Sequence, residues 1–141
     1  MPVLGWSAVT FVASTDTFSS GQTSRLLGPL LRWLFPGLTE AGVELAVFAI
    51  RKAAHVSEYA VLAGLWWRAL RRPVWRDPRP WAWRPAGLAL LACAAWAATD
   101  EVHQAFTATR TASAWDVLLD TTGAAIGLLV LWALSEKRGW W

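Results

Sequence analysis

The segment Ala53-Ala-His-Val-Ser-Glu-Tyr-Ala-Val-Leu-Ala-Gly-Leu-Trp-Trp67 is apolar except where His55, Ser57, Glu58 and Tyr59 interrupt it. An ionisable side chain in a membrane-type helix is costly, so it normally faces a bundle interior, pairs there and marks a functional site. Working outward, the same pattern recurs twice. Asp100-Glu-Val-His-Gln104 closes the apolar run from Ala86 to Phe106, and Asp116 and Asp120 open the run from Trp115 to Leu134. This pattern predicts an all-α fold, a polytopic membrane helical bundle with its polar groups gathered in one place.

Composition agrees with that class. Of 141 residues, 55% are hydrophobic and 16% charged, which leaves a soluble domain short of polar surface. Twelve Trp suit a membrane protein whose indoles lie at the water–lipid boundary. The length fits one domain, residues 1–141. The single cysteine, Cys93, lies in an apolar run and reads as helix packing, with no internal disulfide and no Cys–His zinc pattern.

Four spans are expected, at about 2–18, 45–67, 86–106 and 115–134. The first run is short for a span, and no Lys or Arg before it marks a signal peptide. Ser19–Thr23 reads as a loop. Leu26, Leu27, Leu30, Leu31 and Leu34 then form one stripe of an amphipathic, interfacial helix over about 24–35, ended by Pro36-Gly37. The Arg- and Pro-rich stretch 71–84 reads as a loop. With four spans, that loop and both termini share one side, with Arg68, Arg71, Arg72, Arg76, Arg79, Arg84, Lys137 and Arg138 against Asp77 and Glu136. The positive-inside rule makes that side cytoplasmic and turns the polar end outward.

Helical spacing sorts the polar residues into stripes. Arg51, His55 and Glu58 fall at i, i+4 and i+7, with Lys52 and Tyr59 alongside. Asp100, His103 and Gln104 share a face, and Glu101 shares one with Gln104. Asp116 and Asp120 are one turn apart, and Gly123 and Gly127 extend their stripe as a small-xxx-small pair suited to close helix contact. Three such stripes at one side of the membrane satisfy one another by converging, giving a shallow, water-accessible polar funnel roofed by the loop around Arg110. Carboxylates at a helix C-terminus oppose its dipole, so Asp100 and Glu101 call for a cation such as Arg110, Lys52 or a metal. His55, Glu58, Asp100, Glu101 and His103 are the candidates for acid–base work. Arg51, Lys52, Tyr59, Gln104, Arg110, Ser113, Asp116 and Asp120 are the candidates for ligand binding. For His55 and Glu58, a register-fixing hydrogen-bonded pair and a proton-transfer or ligand-binding pair fit the sequence about equally.

These residues also carry a resemblance. His55-Val-Ser-Glu58-Tyr59 through Gly64, Asp100-Glu101-Val-His103-Gln104, and Arg110-Thr-Ala-Ser113-Ala-Trp-Asp116 with Gly123 resemble the VanZ-like family of small membrane proteins. Ser14-Thr-Asp-Thr-Phe-Ser19 is similar to the family's serine-containing segment after its first helix. The family usually has Asn where this chain has Asp120, and Pro-Gly where it has Ala108-Thr109. The resemblance implies a multi-pass cell-envelope protein, linked through the family's founding member to low-level resistance to the glycopeptide teicoplanin.

Three functional classes follow. The first is an envelope protein that binds an outer-leaflet lipid headgroup or a lipid-anchored antibiotic. The second is a membrane-embedded enzyme acting on a phosphorylated lipid, with a histidine as base and Arg110 or Lys52 as phosphate clamps. The third is a proton-coupled transporter, disfavoured because the third span has no ionisable group before Asp100 and the fourth none between Asp120 and Glu136. No cofactor and no nucleic-acid partner are expected. Membrane lipids are the expected partners, with a lipid-phosphate or glycopeptide ligand, and transport in particular would require an oligomer. A divalent metal is conceivable, but H-x-x-E and D-E-x-H are not diagnostic zinc spacings.

Overall fold

A computed structural model describes residues 2–13, 20–71, 81–106 and 113–138. They form five helices and, among the described residues, no strand: α1 (Pro2–Ala13), α2 (Ser20–Leu34), α3 (Glu40–Arg71), α4 (Trp83–Gln104) and α5 (Ala114–Arg138). Two expected boundaries change. Ser20–Thr23, read as loop, forms the first turn of α2, because the first N–H groups of a helix need no intrahelical acceptor and polar residues are tolerated there. The last helix continues past Leu134 to Arg138. Pro85 falls in the first turn of α4, where a missing N–H costs nothing.

The bundle is α3, α4 and α5. Lys52 meets Asp116, His55 meets Asp120, and Gly64 faces Leu131, so α3 and α5 run parallel in constant register. A Cβ at Gly123 would lie 2.6 Å from the Val56 carbonyl oxygen, and one at Gly127 2.6 Å from the Ala60 Cα. Only the missing side chains let these two backbones approach so closely, as the small-xxx-small reading predicts. α4 runs antiparallel to both. Its Trp83 touches Trp132 near the end of α5, while its Glu101 reaches Ser113 at the start.

Side-chain size explains the packing. α4 turns Ala86, Ala89, Cys93 and Ala97 inward, all buried, against Tyr59, Leu62, Ala63 and Trp67 of α3 and Ala124 and Leu128 of α5. Small residues on α4 leave room for the aromatic groups of α3. Cys93 is buried and free, as its apolar setting predicts. At one end Trp67 stacks on Trp81 with ring centroids 4.5 Å apart, and Arg71 lies 5.2 Å from the Trp67 ring. The polar residues occupy the other end.

Two elements flank the bundle. α1 is tied to it by Trp6 Nε1, which donates to the Glu58 carbonyl oxygen at 3.0 Å, and by Thr10 Oγ1, which accepts from Trp96 Nε1 at 3.1 Å. α2 folds back on the start of α3 as a hairpin. The leucine stripe of α2 is divided: Leu27 and Leu31 pack on Val43 and Val47, while Leu26, Leu30 and Leu34 stay exposed. Arg32 grips Glu40 in a two-pronged ion pair, with N···O distances of 3.0 and 2.6 Å.

Length and composition bear on the membrane. Among the described residues one helix, over Ala114–Glu136, is long and apolar enough to cross a bilayer by those criteria. α1 has 12 residues, about 18 Å at 1.5 Å per residue. That is short of the ~30 Å hydrocarbon core. α3 has 32 residues, but Arg51, Lys52, His55 and Glu58 divide its apolar length.

Candidate functional site: a buried polar end of the bundle

The polar site is assembled from one helical turn on each of three helices. From α3 come Lys52 and His55. From α5 come Asp116 and Asp120. Lys52 Nζ donates to Asp116 Oδ1, and His55 Nδ1 lies 3.8 Å from Asp120 Oδ1. The i, i+3 spacing on α3 meets the i, i+4 spacing on α5, so parallel helices in fixed register present two matched polar rungs. The glycine contacts at Gly123 and Gly127 begin directly below them and hold that register.

α4 contributes the third side. Gln104 Nε2 donates to Asp100 Oδ2 at 3.3 Å, and Glu101 Oε2 accepts the backbone N–H of Ser113 at 2.7 Å. Ser113 immediately precedes α5, so Glu101 takes up a backbone donor at that helix's start. A carboxylate there is also favoured by the helix dipole. Thus a residue at the unfavourable C-terminal end of α4 is stabilised by the favourable N-terminal end of α5. The sequence reading expected a cation such as Arg110, Lys52 or a metal beside these carboxylates. Lys52 pairs with Asp116 and remains within electrostatic reach of Glu101 and Asp120, and Arg110 lies outside the described residues.

Burial separates the site into depths. Asp100, Glu101, Gln104 and Asp120 are buried, whereas Lys52 and Asp116 are about a third exposed, at 29% and 34% of their side chains. Tyr59 is buried at 1% exposure, and its hydroxyl has no hydrogen-bond partner among the described residues. Its electrostatic neighbours are Asp120, Asp100 and Glu101, which places the phenol under the cluster, in the apolar core. Glu58 is partly buried, with Asp100 as its charged neighbour and its own carbonyl held by Trp6.

The candidates therefore divide. Lys52, His55, Tyr59, Asp100, Glu101, Gln104, Ser113, Asp116 and Asp120 come together. Of the α3 stripe Arg51–His55–Glu58 with Lys52 and Tyr59 alongside, Lys52 and His55 reach carboxylates of α5 and Tyr59 lies below them, because the tight Val56–Gly123 contact sets which face of α3 points at α5. His103 and Arg51 are partly buried. Arg110 and the roofing loop 107–112, the segment 14–19 and the loop 72–80 lie outside the described residues. Among the described residues no three His, Cys, Asp or Glu side chains are arranged to hold a metal ion. The sequence reading missed Trp6, Thr10 and Trp96, the residues that tie α1 to the site's helices. Their sequence signal was hidden among the twelve Trp read together as boundary residues.

Fold and site together define a small all-α bundle with an apolar exterior and a buried acidic–basic end. The family model described as VanZ/LLP1 matches residues 2–135, nearly the whole chain, and the chain belongs to that family. A membrane location is compatible with that membership and with the apolar α5. No curated protein matches the chain, and no solved structure does.

Proposed function

We propose that this VanZ-family chain is a multi-pass protein of the cell membrane whose polar end binds a lipid headgroup or a lipid-anchored antibiotic. In this reading α3, α4 and α5 span the bilayer, and the Arg-rich ends at Arg68, Arg71 and Arg84 face the cytoplasm. One observation carries the reading: Asp100, Glu101, Gln104 and Asp120 are buried at one end of a bundle whose outer surface is apolar. That surface exposes Leu88 and Leu91 on α4, and Ile126, Leu129 and Val130 on α5. Large apolar side chains exposed along two neighbouring helices are the kind of surface that a membrane or a partner covers. The tryptophans Trp67, Trp81, Trp83 and Trp132 gather at the opposite, arginine-rich end, where an aromatic belt belongs.

The Lys52–Asp116 rung supplies an exchangeable donor and acceptor at the rim, where a headgroup can replace either partner, and the His55–Asp120 rung lies one turn deeper. A role in glycopeptide resistance would follow from capture of an antibiotic's lipid anchor. A second reading, an enzyme acting on a phosphorylated lipid, draws on the His55–Asp120 pair, since a histidine positioned beside a carboxylate is an arrangement used in acid–base chemistry.

Purified protein in nanodiscs, presented with a panel of lipids and with teicoplanin, tests both. Headgroup binding that is weakened in Lys52→Ala and unaccompanied by turnover supports the binding reading. Phosphate release that disappears in both His55→Ala and Asp120→Asn supports the enzyme. Neither binding nor turnover across the panel would overturn the proposal.

A further inference from the structure

Three helices of different length mark one plane. On the tryptophan-rich side a charged residue ends the apolar part of each: Arg68 on α3, Arg84 on α4 and Glu136 on α5. A hydrocarbon core of ~30 Å is crossed by about 20 helical residues. Counting that distance from the three charged residues reaches Phe48, Gln104 and Asp116 respectively. These positions belong to one level of the fold. Lys52 sits 5.5 Å from the Phe48 ring centroid and bridges Asp116, while Gln104 adjoins the Glu101–Ser113 link three residues before Asp116. His55, Asp120, Asp100 and Glu58 all lie inward of that level. One to three helical turns separate them from it, about 5–15 Å.

The outer surface at that depth has matching chemistry. Ala53 and Ser57 on α3, Thr99 and Val102 on α4, and Leu118 and Thr122 on α5 are exposed, and none is charged. The three hydroxyls among them each donate to the carbonyl four residues earlier: Ser57 to Ala53 at 2.8 Å, Thr99 to Ala95 at 2.9 Å and Thr122 to Leu118 at 2.7 Å. An exposed hydroxyl satisfied by its own helix needs nothing from its surroundings, as hydrocarbon requires. On α3 the exposed stripe Leu45–Ala49–Ala53–Ser57–Val61 continues without a charge past the level of Lys52 and His55. Charges point inward and apolar groups point outward at the same height.

We infer that the polar end is submerged, with acyl chains of the outer leaflet surrounding it at the level of His55, Asp100 and Asp120. Its partner on this face is lipid hydrocarbon, and the Lys52–Asp116 bridge marks the boundary above it. The inference rests on the multi-pass reading and the orientation proposed above. It adds that a ligand reaching Asp120 must sink below the headgroup layer, so the site suits a molecule already resident in the bilayer.

Spin labels in nanodiscs test this. Nitroxides are placed on single cysteines at Ala53, Thr99 and Leu118 in a Cys93→Ala background, with Leu129 on α5 as the deep control. Collisions with oxygen and with a water-soluble nickel chelate are then compared. The expected result is oxygen contact exceeding nickel contact several-fold at the three cluster-level sites, approaching the ratio at Leu129. Nickel contact at those three sites with Leu129 still in hydrocarbon would overturn submersion and leave the multi-pass reading standing. Nickel contact at Leu129 as well would overturn the multi-pass reading itself. Labels at the three sites shielded from both reagents would put protein, not lipid, on this face and overturn the inference.

Discussion

Replacing Gly123 by alanine is the most direct test of how the site is held. An alanine Cβ there would lie 2.6 Å from the Val56 carbonyl oxygen and 2.8 Å from its Cα. Both are backbone atoms, so no side chain can swing aside. Restoring ordinary contact near 3.4 Å requires α3 and α5 to part by about 0.8 Å, since 3.4 less 2.6 is 0.8. Overpacking of this kind costs about 1–3 kcal/mol. The shift also acts on the rungs one turn above: His55 and Asp120, already 3.8 Å apart, would pass beyond ion-pairing distance. Gly87 is the internal control, because a Cβ there meets nothing within 4 Å. Alanine at Gly87 should be neutral or stabilising by up to ~1 kcal/mol through helix propensity. The assay is reversible unfolding in detergent or bicelles, with headgroup binding measured on the same samples. Gly123→Ala as stable as Gly87→Ala would refute the close α3–α5 contact.

Three further outcomes follow from the same geometry. Glu101→Leu should leave the Ser113 N–H without its acceptor, costing about 1–3 kcal/mol and raising amide hydrogen exchange in the first turn of α5, whereas Glu101→Gln should retain most of the protection. A double-mutant cycle on Lys52→Ala and Asp116→Ala should give a coupling of no more than about 1 kcal/mol, because both side chains are partly in contact with solvent. The Arg32–Glu40 pair should follow pH in one direction only. Its hydrogen bond and charge hold Glu40 below the usual glutamate range, so its contribution is complete above the unfolded carboxyl's pKa and is lost as pH falls through the lowered one. Acid titration of an α2–α3 distance probe would show loosening under acidic conditions and none between pH 6 and 8.

Much of the bundle was legible because helical periodicity is local. The apolar lengths and their charged ends placed α3, α4 and α5 to within a few residues, and Gly123 and Gly127 at i and i+4 announced the close contact. The family assignment was also legible, through the combination of Asp100-Glu-Val-His-Gln104 with Arg110, Ser113 and Asp116. Less was readable at Ser20–Thr23, where polar residues suit a loop and a first helical turn equally, and in α2, whose leucines serve two surroundings at once.

Sequence alone determined which residues are polar, which helices carry them, and that they must gather, because spacing and the cost of charge in apolar surroundings are properties of the chain. Only the tertiary structure decided the partners. Lys52 meets Asp116 and His55 meets Asp120 because two glycines bring α3 and α5 together in parallel at one register, which no local pattern on either helix specifies. Glu101 finds the Ser113 N–H because α4 ends where α5 begins, and Tyr59 lies beneath the cluster because the same register turns that face of α3 inward. Pairing across helices depends on their relative rotation and approach, and those are set by contacts between residues far apart in the chain.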